Sequence, residues 1–302
     1  MAIFADENRV REACAKCMVN PASVHAYDDL LTGCRSIGRN FLRIYNIVPP
    51  TMTHMVYNSY QGIGIINYNK SIAEFCNKGK SLEGMIARER RRDIKKIRFA
   101  VVYDDSNSMT SWWRNQTMSE TINEADSPQT YAKVACISLM EGLGRDTEIT
   151  LWKFGTEARG PYNLTTNMYR ELIASNGSGG SRLDLALQSM LDNGWDKRSG
   201  AKIAIIITDG IPEHGRSIYA EDVIATVNTL DMLKQLVRHK VHVLYLQLTT
   251  DESRKYRKIG GYTMVEFGEE VQRLGCIYMS VKTKDKIEAS MYKGLNSVMR
   301  RI

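Results

Sequence analysis

Three short segments hold oxygen-bearing side chains at spacings that could do chemistry. The first is Asp104-x-Ser106-x-Ser108, which ends the apolar run FAVVY. The second is Gly179-Gly180-Ser181, and the third is Thr208-Asp209-Gly210, which closes the run IAIII. Each alone reads as ordinary structure. A strand-end Asp followed by two serines is either a polar turn or the first loop of a metal site. Ser181 reads equally as a helix N-cap, with Asp184 in a capping-box-like role. A Thr-Asp-Gly turn follows many strands.

The surrounding elements decide where these segments meet. Residues 97–103, 148–154, 203–208, 241–248 and 276–281 read as strands. Residues 128–141, 182–193, 220–239, 266–274 and 284–299 read as helices. Leu183, Ala186, Leu187, Met190 and Leu191 repeat at i, i+3, i+4, i+7 and i+8, one face of a helix. The segment IAIIIT is almost wholly apolar, as expected of a central parallel strand covered on both faces. This alternation predicts an α/β domain over 96–302, a doubly wound, mainly parallel sheet flanked by helices. Such sheets bind ligands outside the carboxyl ends of their strands. Asp104 and Asp209 are therefore expected on one face. Residues 1–95 read as a smaller, mainly helical N-terminal region with helices over 7–18, 24–46 and 68–78.

Taken together, the three segments resemble the metal-ion-dependent adhesion site of von Willebrand factor A domains. That pattern is an Asp-x-Ser-x-Ser loop, then a Thr or Ser, then an Asp, each at the end of a strand or the start of a helix. The offsets from Asp104 are 77 residues to Ser181 and 105 to Asp209. The resemblance covers about residues 95–302 and implies a Rossmann-like domain whose metal ligands are Asp104, Ser106, Ser108, Ser181 and Asp209. The implied ion is Mg²⁺, with Mn²⁺ or Ca²⁺ as alternatives. Mg²⁺ takes octahedral oxygen ligands and keeps several waters. Serine hydroxyls coordinate without adding charge, and the two aspartates supply charge directly or through water. An open position then accepts an Asp or Glu of a protein partner. Ser181 stands where Thr is commoner, which keeps the hydroxyl. Asn107 stands where Gly is frequent, and Asn tolerates left-handed backbone. Asp105, Asn107, Trp112, Trp113, Glu213 and His214 flank the site as candidates for partner contact, or alternatively for local packing.

Catalytic patterns fail on individual residues. A phosphatase-type Asp-x-Asp needs a second acid where Ser106 stands. Gly79-Lys80-Ser81 ends like a P-loop, but its first glycine position holds Glu74. Gly62-x-Gly64 lacks a third glycine, with Asn67 in its place. No Ser/His/Asp set has supporting context. The reading is a binding protein with no catalytic residues.

Composition sets the remaining bounds. The 302 residues are 43% hydrophobic and 25% charged, enough for a sizeable core and against wholesale disorder. No apolar run approaches the roughly 20 residues of a membrane-spanning helix, so no membrane partner is expected. The first residues lack a secretory pattern, so the expected location is the cytoplasm. Cys14-x-x-Cys17 with His25 and Cys34 could suggest zinc, but Val10, Ala13, Cys14, Cys17 and Met18 follow helical spacing and read as core. The net charge is +7, and residues 1–96 carry 15 Lys plus Arg against 9 Asp plus Glu. Much of that excess lies in Arg88, Arg90, Arg91, Arg92, Lys95 and Lys96. The run reads as a solvated connector, with nucleic acid or an acidic protein as the alternative partner.

A helical region, a basic lead-in and a C-terminal domain resemble the layout of intracellular von Willebrand A proteins that work beside AAA+ ATPases of the MoxR type. The expectation is a metal-dependent adaptor with an ATPase partner that supplies the ATPase activity. The alternatives are an accessory subunit of a metal chelatase and a Ro-like RNA-binding protein.

Overall fold

The run IRFAVVYD is buried almost from end to end because two parallel neighbours and two helical layers enclose it. The computed structural model describes residues 2–20, 22–45, 47, 54–58, 65–66, 87–91, 97–111, 124–144, 147–163, 166–174, 179–214, 219–249 and 256–302. Its strands are β1 His54–Asn58, β2 Ile65–Ile66, β3 Ala87–Arg91, β4 Ile97–Asp104, β5 Glu148–Phe154, β6 Ala158–Asn163, β7 Ala201–Thr208, β8 Val241–Leu248 and β9 Ile277–Val281. Its α-helices are α1 Ala2–Val19, α2 Val24–Ile44, α3 Asn107–Ser111, α4 Pro128–Leu143, α5 Thr166–Ile173, α6 Leu183–Asp192, α7 Tyr219–Arg238, α8 Met264–Arg273 and α9 Ile287–Met299.

Strands β4 to β9 form one sheet in the order β6-β5-β4-β7-β8-β9. All pairs are parallel except β5 with β6. The chain crosses from β4 to β5 on one side and later places β7 on the other. The order therefore reverses between β4 and β7, and the crevice of a doubly wound sheet opens at such a reversal. The register Tyr103↔Ile207 sets Asp104 beside Thr208 at the carboxyl edge.

Alternate side chains face opposite layers. Phe99, Val101, Tyr103, Ile203, Ile205 and Ile207 pack towards α4 and α9. Ala100, Val102, Ala204, Ile206 and Tyr245 pack towards α6, α7 and α8. Each large apolar side chain so buried contributes roughly 1.5–3 kcal/mol. Strand β6 went unread in the sequence. It is a half-exposed edge, ARGPYN, whose Pro161 lies where a missing N–H is tolerated.

Helix α4 starts where Ser127 accepts a hydrogen bond from Thr130 N at 3.2 Å, with Pro128 in its first turn. It is buried nearly all round because α2 covers its outer face. That contact is glycine-dependent. A Cβ on Gly38 would lie 1.9 Å from Ser138 O, and one on Gly142 would lie 3.1 Å from Gly38 Cα. Helices α1 and α2 thus form a third layer. Their cysteines belong to it: Cys14, Cys17 and Cys34 are buried, and burial pushes the Cys14 thiol up to about 12.

Residues 1–47 share a unit with 97–302, whereas Val48–Lys96 forms a second unit. This division differs from the one expected near residue 95, because the apolar faces of α1 and α2 are buried in the core of the sheet unit. Within the second unit, β3 pairs antiparallel with β1 and with β2. Arg88, Arg90 and Arg91 therefore sit in a strand rather than a connector. The helix expected over 68–78 lies outside the described residues. Among the described residues, no helix is long and apolar enough to cross a membrane.

Candidate metal centre

The carboxyl ends of β4 and β7 bring the first and third segments into direct contact. Asp104 and Asp209 are both fully buried. Ser108 Oγ donates to Asp209 Oδ1 at 2.8 Å, and Ser106 Oγ lies 2.8 Å from Ser108 Oγ. In the other direction, Thr208 Oγ1 donates to Asp104 Oδ2 at 2.6 Å. Asp104 Oδ1 accepts from Ser106 N at 2.9 Å, which folds the loop back on the strand end. Buried Met109 anchors α3 beneath the loop.

Ser181 joins from the second segment. It forms an antiparallel bridge with Glu213: Ser181 N donates to Glu213 O at 3.0 Å and Glu213 N to Ser181 O at 3.2 Å. Gly180 permits this approach, since a Cβ there would lie 2.7 Å from His214 O. A Cβ on Gly210 would lie 4.0 Å from Ser181 Oγ, so that hydroxyl faces the Asp209–Gly210 turn. The alternative reading of Ser181 as an N-cap does not hold. Arg182 holds the N-cap position of α6 with no side-chain cap bond. Asp184 is taken by Arg182, with Nε and Nη2 at 2.8 and 2.7 Å.

The electrostatics fit a cation. Burial, then the neighbouring Asp209 charge, raise the Asp104 carboxyl to about 8, against the hydrogen bonds from Ser106 and Thr208. Two carboxylates thus share a dry pocket that disfavours ionising both. The donors at hand are carboxylate and hydroxyl oxygens, the set suited to hard divalent ions such as Mg²⁺, Mn²⁺ or Ca²⁺. The residues present therefore fit the group that the motif implies.

The flanking residues divide. Asp105 is buried, and its Oδ2 lies 3.4 Å from Lys153 Nζ, so it faces the interior rather than a partner. Asn107 is exposed at the start of α3, and Glu213 and His214 are half-buried. His214 N donates to Asp222 Oδ1 at 2.8 Å, and its Nδ1 lies 3.1 Å from Glu221 Oε2. Trp112 and Trp113 lie outside the described residues.

Two contributors were missed in the sequence. Thr208 was read only as part of a turn, yet it orients Asp104. Lys153 is a charge inside the buried strand EITLWKF, and that break in an apolar run was the available signal.

No protein-family model and no curated protein matches the chain. Its structure is similar to a variant of the PilB minor pilin from Streptococcus sanguinis, at 15% identity and TM-score 0.52, over 74% of this chain and 66% of the pilin. It is also similar to the pilus adhesin SpaC from Lactobacillus rhamnosus GG, at 15% identity and TM-score 0.50, over 70% of this chain and 32% of the adhesin. The match thus spans less than two thirds of either protein. At this identity the likeness shows the fold alone. That fold is a mainly parallel six-stranded sheet between helical layers, of the von Willebrand A-like kind.

Proposed function

We propose that the protein is a metal-dependent protein-binding adaptor. Asp104, Ser106, Ser108, Ser181 and Asp209 hold a divalent cation, Mg²⁺ in the first instance. The bound ion supplies an electrophilic position for an Asp or Glu carboxylate of a protein partner. The chain's own residues do the rest. Asp104 and Asp209 provide the charge, the serines provide neutral oxygens, and Thr208 fixes the Asp104 carboxylate. The observation that carries this reading is the hydrogen-bonded series Asp104–Thr208 and Ser106–Ser108–Asp209, which joins two strand ends through oxygen donors alone.

The finer reading is an intracellular adaptor for a AAA+ ATPase of the MoxR type, with no catalytic step in this chain. Its support is the layout of a basic segment before the sheet domain, and the free state of Cys14, Cys17, Cys34, Cys136 and Cys276, as in a reducing compartment.

The test is capture of partners from the native cell lysate on immobilised protein in Mg²⁺ or in chelator. The expected result is a partner retained only in Mg²⁺, and lost with Asp104→Ala. Retention that ignores chelator and substitution alike contradicts the metal-docking reading. A metal-dependent partner that is not an ATPase contradicts only the finer one.

A further inference from the structure

Strand β5 ends beside the metal centre but supplies none of its proposed ligands. The residues at its end nevertheless tie two of the three segments that do. Phe154 O accepts from Asp105 N at 2.6 Å, next to Asp104 in the first loop. Gly155 O accepts from Arg182 N at 2.8 Å, next to Ser181 in the second. Lys153, which immediately precedes these two residues, is 1% exposed.

Its ammonium has three donors and three acceptors within reach. Glu171 O lies at 2.6 Å and Ala174 O at 2.9 Å, both at the carboxyl end of α5. Asp105 Oδ2 lies at 3.4 Å. The helix end attracts a cation because its carbonyls lack partners within the helix. One buried charge therefore holds the carboxylate after Asp104 to the carboxyl end of α5.

Burying an ammonium costs several kcal/mol when its partners are missing. A helix end alone does not require it to be here: Lys133, from α4, already serves this terminus, with Nζ at 2.7 Å from Ile173 O. What Lys153 adds is the link to Asp105.

We propose that Lys153 is a positioning residue of the metal centre: it clamps the Asp104 loop to the carboxyl end of α5, at the strand end that also ties Arg182 beside Ser181, so that the two sets of oxygens stay in register. The proposal rests on the metal-docking reading above. It assigns Lys153 to the site's geometry, with no contact to the ion.

The experiment is isothermal titration of the full chain with MgCl₂, alongside urea unfolding in chelator. Lys153→Met should weaken Mg²⁺ binding by about tenfold, in the range seen for outer-shell partners of metal ligands. Asp105→Asn should weaken it less, by about threefold, because the two helix carbonyls still hold the ammonium. The double variant should bind no worse than Lys153→Met, since both changes remove one link. Gly38→Ala, in the outer helical layer, controls for stability. It should lower stability in urea and leave the Mg²⁺ affinity within about twofold of the wild type, because no proposed ligand loop touches it.

Lys153→Met binding Mg²⁺ within twofold of the wild type overturns the proposal. So does an equal loss in Gly38→Ala, which would make the effect one of stability. Should Lys153→Met fail to fold, Asp105→Asn decides: unchanged affinity there overturns the clamp. Wild-type protein that binds no Mg²⁺ removes the metal reading and the clamp together. Binding that Asp209→Ala abolishes but Lys153→Met spares removes only the clamp.

Discussion

Ser108 Oγ donates to Asp209 Oδ1 at 2.8 Å across 101 residues of sequence, while Thr208, the neighbour of Asp209, donates to Asp104 at 2.6 Å. The two bonds run in opposite directions between β4 and β7. Each strand end thus fixes an acid of the other. This crossed arrangement sits where the strand order reverses.

Thr208→Val keeps the side-chain shape and removes the hydroxyl. Asp104 then loses a 2.6 Å donor, and Gly210 N loses its 3.2 Å contact with the same oxygen. Mg²⁺ affinity should fall about tenfold, with a stability loss of about 1–2 kcal/mol in chelator. Titration calorimetry and urea unfolding read the two effects separately.

The raised Asp104 carboxyl makes the metal response depend on pH. In metal-free protein this group keeps its proton up to about 8, whereas the unfolded chain has released it above its ordinary 3.8. The native state binds more protons through that window, so its stability falls as pH rises. Cation binding needs the carboxylate and so releases a proton near neutrality. The melting shift between Mg²⁺ and chelator should therefore be larger at about pH 8.5 than at about pH 6. A shift that is flat or larger at the lower pH contradicts the assignment of Asp104.

Gly38→Ala tests the outer layer. The new methyl would meet Ser138 O and Gly142 Cα on α4. The expected cost is about 1–3 kcal/mol, as for other overpacked contacts, measured by urea unfolding. Alanine is the better helix former, so a neutral or stabilising outcome would show that α2 moves away from α4 easily.

Much of this was legible from the chain alone. The runs FAVVY and IAIIIT are unbroken because their strands are enclosed on both faces, and the acids that end them had to emerge at one edge. Ser181 stayed open between cap and ligand when taken alone, because residue type cannot tell a capping hydroxyl from one whose backbone is committed to Glu213. The run ARGPYN carries no strong pattern, since an edge strand needs no fully buried face. Helices over 7–18 and 24–46 were visible, but their docking was not. Gly38 and Gly142 reveal a close helix contact only once the helices are set together. Arg88, Arg90 and Arg91 suggested a connector because their partner strand, His54–Asn58, is distant in sequence and weakly patterned.

The account stands most directly on thermal unfolding of the wild type and Asp209→Ala, each titrated with MgCl₂ against chelator. A ligand that binds only the native state stabilises it by about 2.7 kcal/mol at roughly a hundred times its Kd, and so by roughly 4 °C in a chain of this size. The wild type should show that saturable rise, and Asp209→Ala should show none. No rise in the wild type, or an equal rise in both proteins, contradicts a cation held between Asp104 and Asp209.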